Sequence, residues 1–120
     1  MGADFNRLLA DEIPDAAIVV TPRGEILHWN KGAESLLGYT AMESIGCLIH
    51  ELTVPSDRIA EEFNLLQQTV KSGAATFEGL RQRKDGSLIY ADISSKVVHL
   101  NNDDAPLVLL SGMIRSCARL

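Results

Sequence analysis

Cysteine is scarce in this chain: Cys47 and Cys117 are the two in 120 residues. Neither stands in a C-x-x-C pair, and one pair cannot staple a fold together. A disulfide scaffold is therefore excluded, and both read as free thiols of a reducing compartment. Long apolar runs are missing as well. The longest, Pro106 to Leu110, has the size of a strand, far short of the roughly 20 residues that a membrane helix needs. The N-terminus has no signal-peptide apolar core. A cytoplasmic location follows as the expectation, including the inner side of a membrane-anchored parent. Basic runs are absent too. Lys plus Arg number 11 against 16 Asp plus Glu, a formal net charge of −5. Nucleic acid and anionic membrane surfaces both need clustered cations, so neither is an expected partner. There is no phosphate loop and no H-E-x-x-H. His28, His50 and His99 are not at metal-ligand spacing, and no metal site is expected. The candidate acid–base groups Asp15, Glu25, Glu43, Glu61 and Asp92 have no His or Ser placed beside them in the way nucleophilic catalysis requires. No catalytic residue is assigned, and the chain reads as a non-enzyme.

What is present is an order of elements. Arg23-Gly24 and Asp85-Gly86 each sit between stretches of alternating apolar residues, with a helix-rich middle between them. That order predicts two antiparallel hairpins separated by short helices, an α+β domain with a curved sheet and helices on one side. A length of 120 residues suits one domain able to bury its own core. Strands are predicted over Ala17 to Thr21 and Glu25 to Trp29. Asn30 is suited to cap a helix over Lys31 to Leu37, and Gly38 to end it. Thr40 would cap a second short helix over Ala41 to Ile45, and Cys47 to Leu52 reads as one more helical turn. Ser56 or Asp57 would cap the longest helix, Arg58 to Ser72. Its apolar positions Ile59, Phe63, Leu66 and Val70 form one stripe. Three strands follow: Thr76 to Arg83, Ser87 to Leu100 and Leu107 to Ser116. In the long middle strand Ile89, Ala91, Ile93, Ser95 and Val97 alternate with Tyr90, Asp92, Ser94 and Lys96, which gives one buried and one wet face. Ahead of the domain, Phe5, Leu8, Leu9 and Ile13 lie at helical spacing. Residues 1–13 are thus expected to form an amphipathic cap helix, and 14–120 the domain proper.

With these residues, the chain resembles the PAS domain, the sensory-box family. The matching stretches are Ile13-Pro14-Asp15-Ala16, Gly24-Glu25-Ile26, Trp29-Asn30-Lys31-Gly32-Ala33-Glu34, Leu37-Gly38-Tyr39-Thr40, Glu43-Ser44-Ile45-Gly46, Pro55-Ser56-Asp57-Arg58 and Arg83-Lys84-Asp85-Gly86-Ser87. Each is weak alone; seven in the right order, from Glu12 to Arg115, are specific. The resemblance implies a five-stranded antiparallel sheet in the order 2-1-5-4-3 with short helices over its concave face. It implies a sensory or dimerisation module of a larger signalling protein: a sensor histidine kinase of a bacterial-type two-component system, a cyclic-dinucleotide enzyme or a transcription regulator. A homodimer is expected, with an output domain outside these 120 residues.

Cofactors can be weighed residue by residue. Photoactive flavin members place a reactive cysteine three residues after the glycine matched by Gly46; here that position is Ile49. Their flavin-holding amides match Ala91 and Ile114. Haem members place a histidine where this chain has Glu61, and only His50, just ahead of the long helix, could substitute as an axial donor. No cofactor is predicted, and non-covalent flavin or haem stand as alternatives. The expected wall of the ligand pocket is Ile18, Val20, Trp29, Phe63, Leu66, Ile89, Ala91, Ile93, Val108, Leu110 and Ile114, with Ile59 beside them. That lining is apolar, so either side chains fill it or a small apolar ligand does. The expected dimer interface is Phe5, Leu8, Leu9 and Ile13. The competing reading is a ligand-free interaction module, and a more distant one a small pocket enzyme. In the family the last strand ends in Arg-Asp-Ile-Thr. Here Arg115-Ser116-Cys117-Ala118 lacks the Asp that ties the exit strand to its own domain. The stimulus, the output and the dimer geometry are not encoded in any motif.

Overall fold

A computed structural model describes residues 15–99 and 105–117, with the side chains of 116–117 excepted. The expected cap helix and its Phe5, Leu8, Leu9 and Ile13 lie outside the described residues. Five strands form one antiparallel sheet: β1 (Ala16–Val20), β2 (Ile26–Trp29), β3 (Ala74–Gln82), β4 (Leu88–Val98) and β5 (Leu107–Cys117). Their order is β2-β1-β5-β4-β3. Between β2 and β3 run α1 (Lys31–Leu37), α2 (Ala41–Ser44), α3 (Ile49–Thr53), a 3-10 turn (Ser56–Arg58) and α4 (Ile59–Ser72).

Asn30 holds the entry to the helical layer. Its Oδ1 accepts from the backbone N–H of Ala33 at 2.8 Å, which caps α1, and from that of Ala17 at 2.8 Å, which pins the cap to β1. Its Nδ2 donates to the Asp15 carbonyl at 3.0 Å. One side chain thus joins the first helix to β1. Thr40 and Glu43 form a full capping box on α2, satisfying two orphan N–H groups. The turn into β2 ends at Gly24, whose φ of 96° is closed to most side chains. A Cβ there would also come within 2.9 Å of His50 Nδ1, so the turn and the buried His50 ring share one space.

The alternation of β4 holds: Ile89, Ala91, Ile93 and Ser95 are buried, and Asp92, Ser94 and Lys96 are exposed. The core lies on that inner face, where Ile18, Val20, Ile26, Trp29, Ala33, Leu37, Ile49, Leu66, Ile89 and Val108 pack together. On the opposite face Ala17 and Val19 are buried, with Leu107 and Leu109 packed against them.

Two local expectations are corrected. Cys47 and Leu48 are not helical, because they pair with the free edge of β2. The Ile26 N–H donates to the Cys47 carbonyl at 2.9 Å, and Glu25 bridges Leu48. Neither Ser56 nor Asp57 caps the long helix; the 3-10 turn intervenes, and Arg58 stands at the cap position with no side-chain bond.

Candidate functional site

The concave face of β1, β5, β4 and β3 faces α1, α3 and α4 across a hollow. Its main cavity is about 40 Å³, and Ile18, Leu37, Ile49, Ala91, Ile93 and Leu110 make most of its apolar wall. A smaller cavity of about 20 Å³ lies under α4, among His50, Glu62, Leu66, Thr69, Phe77 and Ser95. Arg81, from β3, lines both. Spaces of this size hold a water or two. They are far below the roughly 300–1,000 Å³ that enclose a drug-sized ligand, so a guest of that size enters only if this packing opens.

The wall is less oily than the apolar stripe suggests, because α4 is turned by about one position. Leu66 is buried as expected, and Ile59 and Val70 are half-buried, but Glu62 and Thr69 are the other residues that face inward. The reason stands opposite them on the sheet. Arg81 Nη2 donates to Glu62 Oε2 at 2.9 Å, with the two side chains only 11% and 5% exposed. Thr69 Oγ1 and Ser95 Oγ share a hydrogen bond of 2.6 Å, and Ser95 also donates to the Ala75 carbonyl at 3.2 Å. A buried carboxylate away from a cation would cost several kcal/mol, so the helix settles where both polar pairs close.

The expected wall residues divide accordingly. Ile18, Ala91, Ile93 and Leu110 line the main cavity, and Leu66 lines the smaller one. Val20, Trp29, Ile89 and Val108 are buried in the packed core beside it. Trp29 is held there by its Nε1, which donates to the Tyr39 carbonyl at 2.9 Å. Two placements are corrections. Phe63 is 39% exposed and meets the His50 ring edge-on at 5.6 Å, because the turn of α4 carries it to the rim. Ile114 is 41% exposed. A register shift between Tyr90 and Ala91 interrupts the β4–β5 ladder beside it, and it lines an open groove with Leu36 and Met113. Glu62, Thr69 and Arg81 were not singled out from the sequence. The available signal was Arg81 itself, a cation at an inward position of an alternating strand.

His50 completes the polar end. It is 7% exposed. Burial holds its pKa below the ordinary value and the Arg81 charge adds to this, while a bond to the Glu62 backbone and the Glu62 charge oppose it. His28 lies on the other face, opposite Val19 in the β1–β2 register, and burial lowers its pKa as well. Among the described residues, no group of three His, Cys, Asp or Glu side chains could hold a metal ion.

At the exit strand, Arg115 pairs with Glu78 at 3.0 Å and with Asp92 at 3.3 Å. These exposed pairs tie β5 to β3 and β4 by a route that does not use the missing Asp, although each contributes little in water.

A family model described as the PAS fold matches residues 3–112. This chain is a member of the PAS family. A PAS domain is a regulatory, sensory module of signalling proteins. Two-component system protein A of Emericella nidulans is 37% identical over 89 residues, 72% of this chain and 13% of that protein. The PAS domain thus spans a small part of its curated relative. Among solved structures, a PAS domain from Colwellia psychrerythraea superposes with a TM-score of 0.80 at 24% identity, covering 97% of this chain and 98% of that one. The PAS domain of the quorum-sensing receptor RpfR from Cronobacter turicensis, in complex with C12:0, gives 0.75 at 16% identity, covering 88% and 98%. At these identities the structures speak to fold alone.

Proposed function

We propose that this PAS domain senses occupancy of its hollow and passes the result to an output domain through α4 and the sheet. The observation that carries the reading is the polar seam: α4 is bound to the sheet by Glu62–Arg81 and Thr69–Ser95, next to a cavity that is small but not closed. A guest's polar groups can compete for these partners, which purely apolar contacts do not offer. A guest that prefers one packing of α4 shifts the population toward it. The output is a two-component type of signalling protein, in line with the Emericella nidulans relative, and the domain works as a homodimer in the cytoplasm. The RpfR domain holds C12:0, which supports a small organic ligand here.

Hydrogen exchange on the purified chain tests this, alongside its native mass. The reading expects a dimer whose α4 amides open at lower free energy than those of β1, and whose protection rises or falls when a ligand enters. A chain that dimerises while no small molecule alters α4 exchange would leave only the second reading, a ligand-free interaction module. That reading draws on the outer-face cluster of Ala17, Val19, Leu107 and Leu109 and on the half-exposed Met113.

A further inference from the structure

We propose that His50 is a proton-operated latch, whose protonation lifts the first turn of α4 off the sheet. The inference goes beyond the sensory reading above and needs no guest in the hollow.

The His50 ring stands where α3, the β1–β2 turn, α4 and β3 meet. It is carried by α3 and is 7% exposed. On one side lies the turn: a Cβ on Gly24 would come within 2.9 Å of Nδ1 and 3.0 Å of Cε1. On the other lies α4, whose Phe63 ring meets the imidazole edge-on at 5.6 Å. Glu62, Thr69, Arg81 and Ser95 share with it the cavity of about 20 Å³, room for about one water. The same turn is bound to α4 by Gln67, whose Nε2 donates to the Pro22 carbonyl at 2.7 Å.

The charges around the ring leave no place for another. Arg81 from β3 and Glu62 from α4 act on it, and they are already paired with each other at 2.9 Å. Arg23 and Glu25 flank Gly24 in the turn, Glu51 follows His50 on α3, and Glu61 precedes Glu62 on α4; all four are exposed. Thr69 and Ser95 are uncharged. While His50 is neutral the buried site sums to zero. A proton on the ring sets two cations around one carboxylate, and an uncompensated buried charge is costly. Burial first, and the Arg81 charge second, accordingly hold the pKa of the ring below its ordinary value, against the pull of Glu62.

Relief has one direction. The turn is fixed: Gly24 holds a φ of 96°, its N–H donates to the Thr21 carbonyl at 2.8 Å, and its carbonyl accepts from the Ile49 N–H at 2.8 Å. The start of α4 is held less firmly. No side chain caps it, and Phe63, which covers the ring, is already 39% exposed. Lifting this turn lets water reach the imidazolium, Arg81 and Glu62 together, while Thr69–Ser95 holds the far end of the helix.

Amide exchange of the 120-residue chain, followed by NMR from pH 7.5 to 5.5 and expressed as protection factors, tests the latch. Below the ordinary value of 6.5, an opening that frees the ring gains up to about tenfold per pH unit until the folded pKa is reached. Protection of the Phe63 to Gln67 amides should fall accordingly, while that of Val19 in β1 should not. The His50 ring resonances should titrate below the ordinary value. His50→Gln takes up no proton, so its α4 protection should stay level with pH. Phe63→Ala changes an exposed position and uncovers the ring. There the His50 titration should move up toward the ordinary value, and the pH response of α4 should flatten. Wild-type α4 protection that ignores pH, or that falls equally in β1, overturns the latch. So does a response that survives in His50→Gln. If His50→Gln does not fold, Phe63→Ala decides, and an unmoved His50 titration there overturns the proposal. These outcomes leave the guest-sensing reading standing; that reading fails separately, if α4 exchange responds to no small molecule.

Discussion

The two ends of the core are built on different physics. Beneath β1, β2 and α1, Ile18, Val20, Ile26, Trp29, Ala33 and Leu37 close on one another, and Asn30 is the polar clamp between strand and helix. Beneath α4 the same inner face carries an ion pair, a hydroxyl pair and a histidine. Apolar packing is non-directional and tolerates small shifts only at the cost of voids. Polar pairs are directional, and their partners can be traded. On the proposed sensory reading, the first end is the fixed frame and the second is the part whose partners a guest can exchange. Local stability differs across a fold in this way, and moving elements come from the less stable part.

The largest test of that contrast is Arg81→Met. It leaves the Glu62 carboxylate buried without its cation and should cost about 3–5 kcal/mol in urea denaturation, while adding Glu62→Gln should recover most of the loss. If the single variant is as stable as wild type, the ion pair contributes nothing to the seam and the two ends do not differ. In the frame, Ile26→Ala removes a fully buried side chain and should cost about 2–5 kcal/mol through lost contact and a residual cavity. No second substitution of charge should rescue it. Recovery by Glu62→Gln in that background would show the ends to be coupled.

Thr69→Val is smaller. It removes one partner of the 2.6 Å hydroxyl pair, while Ser95 keeps the Ala75 carbonyl. The expected cost is about 1 kcal/mol, read as a lower denaturation midpoint with unchanged slope. Hydrogen exchange should quicken in the last turns of α4 and stay unchanged in β1; an equal change in both would erase the contrast.

The smallest effect is His50. Its folded pKa is held below the ordinary 6.5 by burial first and by the Arg81 charge second. The unfolded chain thus takes up this proton at higher pH than the folded one. Stability from a neutral His50 is fully present above about 6.5 and is lost as pH falls from there toward the folded value. Wild-type denaturation midpoints should therefore fall more steeply than those of His50→Gln between about pH 7.5 and 5.5. Parallel slopes would take His50 out of the polar end.

The legible part of this protein is local. Period-two alternation in β4 names its inner face before any contact is known, because successive strand side chains must point to opposite sides. Asn30, Thr40 and Gly38 mark helix ends because their side chains or backbone freedom serve one or two neighbours. The rotation of α4 is a different matter. Ile59, Phe63, Leu66 and Val70 make one helical stripe, and Glu62, Leu66 and Thr69 make another, sharing Leu66. Periodicity alone favours the apolar one. The choice was made by Arg81 and Ser95, 19 and 26 residues away along the chain, which face α4 only once β3 and β4 are paired. Ile114 was decided in the same way, by an irregularity in the β4–β5 ladder. Side-chain patterning thus settled which elements form and which strand faces turn inward, since those depend on near neighbours. Which side of the long helix meets the hollow, and so what chemistry the hollow offers, was left to tertiary structure, because a buried charge is tolerable only where a distant partner arrives to meet it.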